Sequence, residues 1–125
     1  MQLKIKLFDN DMSKALEPGV YQIEIQKDNK KEILYIGESV YPLVRCSEHL
    51  YNLKNDPQYF GFTNKTIENP DISLIFSIIR NEKDVIKRKS QEKELIKEKN
   101  PLSQSGISDR LSKLRVASLN NWLLN

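Results

Sequence analysis

The sequence predicts an α/β fold of the α+β kind, with a small, mainly antiparallel central sheet flanked by helices. Two apolar segments, 19–25 and 32–37, have the composition of strands and are separated by a short polar stretch typical of a hairpin. A third apolar segment, 72–79, precedes a charged segment, 82–99, whose length and spacing are typical of a helix. One sheet with helices beside it accommodates all of these segments.

Length and composition indicate a soluble globular protein in which residues 1–125 form a single domain. The chain is 38% hydrophobic, and no apolar run approaches the roughly 18 residues that a membrane-spanning helix requires. The N-terminus alternates polar and apolar residues where a secretory signal would carry a continuous apolar run. Because Cys46 is the only cysteine, no internal disulfide can form, and we expect a cytoplasmic location.

The net charge of +3 reflects 20 basic against 17 acidic residues, an excess that permits binding to a polyanion but does not require it. With one histidine and one cysteine, the chain lacks a zinc cluster of these residues and the several histidines that some nuclease sites need. Acidic residues interleave with basic ones over 83–99, so this run is interpreted mainly as a solvated helix face. Lys87, Arg88 and Lys97 are its candidates for phosphate contacts.

The N-terminal region is predicted to hold one strand and one helical turn. Residues 3–8 alternate in polarity as a strand does, and residues 13–17 are interpreted as a helical turn. Pro18-Gly19 is a strong break, after which a new element begins.

The two apolar segments of the hairpin are predicted to pair antiparallel. If Ile25 lies opposite Lys31, pairing that advances one residue on each strand places Tyr21 opposite Tyr35. The two tyrosines are therefore expected to be cross-strand neighbours on one face of the sheet.

A helix is predicted from Pro42 to about Leu53, because proline is favoured in the first turn and apolar residues then recur at helical spacing. The apolar stripe consists of Leu43, Cys46, Leu50 and Leu53. Arg45 and His49 lie one turn apart on the same helix.

Three further elements follow this helix. Residues 54–70 are rich in turn-forming residues and are predicted to form an irregular loop. The strand at 72–79 has apolar residues on both faces, so we expect it in the centre of the sheet. A long helix should occupy about 82–99 and end at Asn100-Pro101.

Glu92 is the most informative carboxylate of that helix. It shares a helix face with Val85 and Ile96, because the three recur at helical spacing. Lys89 lies on this face as well, but its long stem can carry the ammonium out to water. A glutamate that faces a sheet is costly unless it is paired, protonated or bound to a metal. We therefore expect Glu92 to have such a partner.

Together these residues resemble the GIY-YIG endonuclease family. Gly19-Val20-Tyr21 stands where the family has its first motif, and Tyr35-Ile36-Gly37 stands where it has its second. Arg45 and His49 follow at the family's usual intervals, and Glu92 belongs to a segment, EKELIK, that is similar to the family's metal-binding helix. The order and spacing of five polar positions make the resemblance more specific than two tripeptides alone.

The resemblance covers about residues 18–104 and implies a sandwich of the GIY-YIG nuclease type. It also implies an endonuclease that hydrolyses DNA phosphodiester bonds with a divalent ion, Mg²⁺ or Mn²⁺, at one site per chain. A double-strand break would then require a homodimer or successive cuts.

By this resemblance, Arg45 binds the phosphate through its planar fork of donors, and Glu92 holds the divalent ion. Tyr21 and Tyr35 are similar to the family's two site tyrosines, one of which is proposed to act as general base on the attacking water. Tyr35 is the favoured candidate for that base. His49 is expected to position a phenol or a phosphate by hydrogen bonding.

The chain departs from the family's pattern at two positions. Glu38 stands where some repair members carry lysine, so it either contributes little or brings a negative charge close to the site. Gln104 stands where the family has a late asparagine. It retains the amide, lengthened by one methylene, and is the candidate for an orienting residue.

Each of these residues also has an ordinary structural interpretation when taken alone. Strand tyrosines are usually half-buried packing residues, and His49 alone is typical of a surface or hydrogen-bonded histidine. Arg45 with Glu92 would form a structural ion pair. The alternative function is a nucleic-acid-binding or interaction module that keeps the fold without catalysing hydrolysis.

Residues 105–125 follow the region of resemblance and are predicted to form a helix. Its apolar residues at helical spacing are Ile107, Leu111 and Leu114. Ser105 or Ser108 is a candidate N-cap. This helix either completes the core or forms a dimer contact or a small DNA-recognition element.

Overall fold

Four strands form the central sheet of the protein. The computed structural model describes residues 1–104, 117 and 119–124. The strands are β1 (Lys4–Leu7), β2 (Gly19–Lys27), β3 (Lys30–Ser39) and β4 (Ile72–Asn81). They lie in one sheet in the order β1-β4-β2-β3, with β2 antiparallel to both neighbours and β1 parallel to β4. The predicted small, mainly antiparallel sheet is confirmed, and the strand predicted at 72–79 occupies an interior position.

Helices flank the sheet, as the predicted fold class requires. They are α1 (Met12–Ala15), α2 (Pro42–Asn55), a 3-10 helix (Pro57–Phe60), α3 (Asn64–Ile67) and α4 (Val85–Lys99). α2 buries Cys46 and Leu53, and Leu43 and Leu50 pack against the core, so its predicted apolar stripe is confirmed. None of the helices in the described residues combines the length and the apolar character needed to cross a membrane.

Helix caps explain where the observed elements differ from the predicted ones. The segment 54–70, predicted as an irregular loop, contains the 3-10 helix and α3. Asp56 and Thr63 precede these helices, and each accepts a hydrogen bond from a backbone N–H of the helix that follows. α4 begins at Val85, later than predicted, because Asp84 caps its first turn in the same way.

The register of the β2–β3 hairpin differs from the predicted one by two residues near the tyrosines. Tyr21 lies opposite Gly37, and Ile23 lies opposite Tyr35. A turn of two residues accounts for one residue of the offset, and a β-bulge next to Ile23 accounts for the other. Because side chains alternate with a period of two, this offset leaves both tyrosines on one face.

The core joins the tyrosine-bearing face of the sheet to α2. Ile23, Ile25 and Phe76 contribute buried side chains from the sheet, and Cys46 and Leu53 contribute them from α2. This packing places His49 of α2 beside the two tyrosines.

The end of the chain also packs on the core. Residues 119–124 are helical, and Leu119 is fully buried. Lys27 and Lys30, on either side of the hairpin turn, donate hydrogen bonds to the carbonyl oxygens of Leu123 and Trp122. The predicted stripe and caps of the preceding segment lie outside the described residues: Ser105, Ile107, Ser108, Leu111 and Leu114.

Candidate active site

Two tyrosines lie side by side on the face of the sheet that packs against α2. Tyr21 of β2 is 1% exposed, Tyr35 of β3 is half-buried, and their stacked ring centroids are 6.3 Å apart. The ring of Tyr21 lies over Gly37, where an added Cβ would overlap the phenol. Gly37 therefore leaves the space that the Tyr21 ring occupies, which explains the glycine of the second motif.

His49 contacts both tyrosines and is 1% exposed. α2 positions it there because Cys46 and Leu53, one turn away on either side, are buried on the same helix face. Its Nε2 is 2.8 Å from the hydroxyl oxygen of Tyr21, and its Nδ1 is 2.7 Å from that of Tyr59. Each ring nitrogen thus has a phenol as its hydrogen-bond partner.

Tyr59 is a residue of this cluster that the sequence analysis did not identify. It lies in the 3-10 helix, inside the segment predicted as a loop, where neither a motif nor a periodicity distinguishes it. The available signal was the group of aromatic residues in that turn-rich segment. Phe60 and Phe62 are buried in the core, and this packing carries Tyr59 to His49.

Burial favours the neutral forms of Tyr21, Tyr35 and His49. It raises the pKa of Tyr21 far above its ordinary value, and neighbouring Cys46 and Tyr35 add to the rise. Burial also raises the pKa of Tyr35, although the positive charge of Arg45 opposes this. For His49, burial and Arg45 both lower the pKa, to about 4, so the imidazole is neutral near pH 7. A neutral imidazole offers one N–H donor and one acceptor nitrogen.

Arg45 lies on α2, one turn before His49, with its side chain 40% exposed. Its positive charge acts to lower the pKa values of Tyr21, Tyr35 and His49, so the guanidinium is coupled electrostatically to all three. Nη1 donates a hydrogen bond to Glu48 at 3.1 Å. Solvent-exposed ion pairs of this kind contribute little free energy, so the guanidinium remains available to a phosphate.

Glu92 approaches the tyrosines from α4. Its side chain is half-buried, and its pKa is raised first by burial and then by the carboxylate of Glu38. Its negative charge in turn raises the pKa values of Tyr21 and Tyr35. Arg45 and Glu92 therefore act through their charges on the same pair of phenols, from different helices. They form no salt bridge with each other in the described part of the chain, which argues against a purely structural ion pair.

The face of α4 that meets the sheet differs from the predicted one. Val85 is 50% exposed and Lys89 is exposed, whereas Arg88 is 2% exposed. Arg88 donates from Nε to Glu38 at 2.6 Å, and from Nη1 to backbone carbonyl oxygens just before α4 begins. The prediction that Arg88 is a phosphate contact is wrong, because its guanidinium is buried and already paired.

Gln104, the candidate orienting residue, forms hydrogen bonds with the backbone of the second motif at the edge of the sheet. Its Oε1 accepts a hydrogen bond from the N–H of Ile36 at 2.7 Å, and its Nε2 donates to the carbonyl oxygen of Ile36 at 2.9 Å. The N–H groups of Leu102 and Ser103 donate to carbonyl oxygens of β3 as well. This segment binds the outer edge of β3 without forming a strand, and the amide of Gln104 acts there as a peptide group would.

The chemistry of Glu92 fits a divalent ion. Among the described residues, no cluster of three or more His, Cys, Asp or Glu side chains is arranged to hold a metal. The charge of Glu92 is costly, since burial and Glu38 both raise its pKa, and a bound cation would offset that cost. A single carboxylate suits Mg²⁺ or Mn²⁺, which retain several water ligands.

All of these side chains lie inside the part of the chain that matches a known family model. The model of the GIY-YIG catalytic domain matches residues 17–105 of the 125-residue chain. This match agrees with the span of the resemblance seen in the sequence, about 18–104. No curated protein and no solved structure matches the chain.

Proposed function

Because the chain belongs to the GIY-YIG catalytic domain family, a family of nucleases, we propose that it is a metal-dependent endonuclease that hydrolyses phosphodiester bonds of DNA. One observation carries the proposal: the rings of Tyr21, Tyr35 and His49 lie together inside the part of the chain that matches this family. Arg45 on α2 and Glu92 on α4 act on the two phenols through their charges. Four elements thus bring a cationic donor, a carboxylate and two phenols to one site. In phosphodiester hydrolysis, a cationic donor and a metal-binding carboxylate stabilise negative charge, and a phenol can take up the proton of the attacking water.

Arg45 is the group that binds the scissile phosphate. Its exposed salt bridge to Glu48 uses Nη1, and the other guanidinium N–H groups can donate to phosphate oxygens as a bidentate fork. Negative charge on those oxygens grows during hydrolysis, so a fixed guanidinium stabilises the transition state more than the bound substrate.

Glu92 is the residue that would hold one Mg²⁺ or Mn²⁺. When bound, such an ion supplies positive charge to the phosphate and to the leaving oxygen. The half-buried carboxylate has no salt-bridge partner among the described side chains, and a backbone hydrogen bond at Glu38 is its one hydrogen-bond interaction that lowers the pKa of Glu92. A cation can bind the carboxylate beside that hydrogen bond. Glu38 does not compete for that ion as a free carboxylate, because Arg88 pairs with it at 2.6 Å.

The two phenols and His49 are the groups that orient and deprotonate the attacking water. Tyr21 and Tyr35 lie 6.3 Å apart between ring centroids, and His49 contacts both rings. His49 is the one side chain of this group whose ordinary pKa lies near 7, and burial keeps its imidazole neutral. Proton transfer through hydrogen-bonded neutral groups suits such a site.

Nicking of supercoiled plasmid tests this function. With Mg²⁺ the protein should convert plasmid to nicked circles, and a chelator or Glu92→Gln should abolish the conversion. Glu94→Gln is the matched control, because Glu94 is an exposed glutamate of the same helix and should leave the rate unchanged. Nicked circles that precede linear DNA indicate one cut per site, whereas direct linearisation indicates a homodimer.

The same assay separates the alternatives when DNA binding is measured beside it. DNA binding without metal-dependent nicking would favour a binding module that has lost turnover. A protein that neither binds nor cuts DNA would contradict the proposed function.

A further inference from the structure

The hydroxyl of Tyr59 forms the outer end of a hydrogen-bond chain that begins at Tyr21. The hydroxyl oxygen of Tyr21 is 2.8 Å from Nε2 of His49, and Nδ1 of His49 is 2.7 Å from the hydroxyl oxygen of Tyr59. Tyr21 and His49 are each 1% exposed, whereas Tyr59 is only partly buried. These hydrogen bonds therefore connect the buried hydroxyl of Tyr21 to the partly exposed side chain of Tyr59.

The direction of these hydrogen bonds follows from burial. Neutral His49 carries one ring proton. If Nε2 carried it, His49 would donate to Tyr21, and the buried hydroxyl proton of Tyr21 would have no acceptor among the described residues. If Nδ1 carries it, Tyr21 donates to His49, His49 donates to Tyr59, and the hydroxyl proton of Tyr59 reaches water. We infer that the free protein adopts the Nδ1–H tautomer.

We propose that Tyr59 is a positioning residue of the nuclease reaction, acting through His49 to keep Tyr21 an acceptor toward the attacking water and to give its proton an exit. The inference rests on the proposed function. It also assigns the general base to Tyr21 rather than to Tyr35, because Tyr35 forms no hydrogen bond to His49 in the described part of the chain.

Each residue of the hydrogen-bond chain from Tyr21 to Tyr59 gives one proton for each proton that it receives. As the oxygen of the attacking water bonds to phosphorus, the water gives a proton to Tyr21, and Tyr21 gives its own proton to Nε2 of His49. The Nδ1 proton passes to Tyr59, whose own hydroxyl proton leaves to bulk water. The bond from phosphorus to the leaving oxygen breaks, and that oxygen takes a proton from solvent. After product release, Tyr21 gives a proton to entering water, and reversal of the hops restores the first tautomer.

The protonation preferences of the buried groups support this chain. Burial raises the pKa of Tyr21 and lowers that of His49, so neither group becomes charged readily. In the transfers above, each group receives a proton as it gives one and stays neutral. A chain of this kind suits a site in which a phenolate or an imidazolium would be costly.

The first test reads the tautomer directly. His49 is the only histidine of the chain, so its two ring nitrogens can be assigned without ambiguity in a ¹⁵N NMR spectrum. We expect the Nδ1–H tautomer in the unmodified protein and a mixture with Nε2–H in Tyr59→Phe. Tyr51→Phe, at a tyrosine of α2 that is 69% exposed, should leave the spectrum unchanged. An Nε2–H tautomer in the unmodified protein, or an unchanged tautomer in Tyr59→Phe, overturns the inference.

The second test measures the reaction. In single-turnover cleavage at saturating DNA, Tyr59→Phe should lower the rate at least about tenfold without changing the Kd for DNA, whereas Tyr51→Phe should retain the rate. The slowing of the reaction in D₂O should also differ between Tyr59→Phe and the unmodified protein. A rate within about twofold of the unmodified protein overturns the role of Tyr59. If the unmodified protein cuts no DNA, the proposed function fails, while the ¹⁵N spectrum still decides whether Tyr59 sets the tautomer.

Discussion

Single side chains at the candidate site lie in surroundings that disfavour their charged forms. Burial raises the pKa values of Glu92, Tyr21 and Tyr35 and lowers that of His49. Groups perturbed in this way reduce the stability of a fold and are concentrated at functional sites. The four residues are drawn from β2, β3, α2 and α4, so the environment depends on tertiary packing rather than on any one segment.

Glu92→Gln is expected to raise the free energy of unfolding near pH 7 in the absence of divalent ions. The pKa of Glu92 is higher in the folded state than its unfolded value of about 4.3. The contribution of the Glu92 carboxyl to the free energy of unfolding is therefore complete below about pH 4.3 and is lost as the pH rises through the folded-state pKa. Urea unfolding should therefore find the two proteins most alike at acidic pH and increasingly different toward neutral pH. Mg²⁺ should stabilise the unmodified protein but not the variant. An identical pH dependence in both would contradict this prediction.

Gly37→Ala is expected to destabilise the protein and to displace the Tyr21 ring. The new methyl group would overlap the phenol of Tyr21, and overpacking of this kind costs about 1–3 kcal/mol. Chemical unfolding measures the loss, and the ¹⁵N spectrum of His49 reports the broken contact. In a Tyr21→Val background the same substitution should cost less, because the ring is gone. An equal loss in both backgrounds would place the strain elsewhere.

Among the elements, α4 depends on a charged contact for its attachment. Arg88 is its one buried residue, and it joins β3 through Glu38 and the start of the helix through backbone carbonyl oxygens. Glu92 lies one turn further along, so the orientation of the helix about Arg88 determines whether that carboxylate reaches the tyrosines. The buried pair thus aligns α4 with the site.

Arg88→Gln is expected to lower the free energy of unfolding by about 3 kcal/mol, because it leaves the carboxylate of Glu38 with little exposure and no counter-charge. Urea unfolding measures the change, and Lys87→Gln, at the exposed neighbouring position, is the control. The double variant with Glu38→Gln should lose less than the two single losses combined. Additive losses would show that the pair is not coupled.

At the scale of the whole molecule, segments from the beginning and the end of the chain bind the two edges of the sheet. β1 pairs with β4 at one edge of the sheet, and residues 102–104 bind β3 at the other. The helical residues 119–124 insert Leu119 into the core and receive hydrogen bonds from Lys27 and Lys30. The site therefore lies within a sheet that is held at both edges.

Leu119→Ala is expected to destabilise the protein by about 2–5 kcal/mol, because the fully buried side chain leaves a cavity. Leu124→Ala, at a leucine that is 85% exposed, should change the stability little. Thermal and urea unfolding compare the two variants. Equal stabilities would mean that the end of the chain does not contribute to the core in solution.

Local patterns predicted most of the elements and most of the cluster. The alternation in 19–25 and 32–37, the proline at 42 and the apolar run 72–79 each act within a few residues, and the elements formed there. Order and spacing pointed to Tyr21, Tyr35, Arg45, His49 and Glu92. The structure places the rings of Tyr21, Tyr35 and His49 together, and the role of the five residues as one site stays a prediction.

The sequence by itself determined the strands, the longer helices and the family that the chain resembles, because periodicity, turn residues and motif spacing are properties of neighbouring positions. The two short helices within 54–70 were not predicted. Only the tertiary structure decided the offset that pairs Tyr21 with Gly37, the burial of Arg88 against Glu38 and the contact of Tyr59 with His49. The offset depends on the length of the hairpin turn and on a β-bulge, and the other two contacts depend on the packing of residues that are distant in the chain. None of the three leaves a periodic pattern in the sequence.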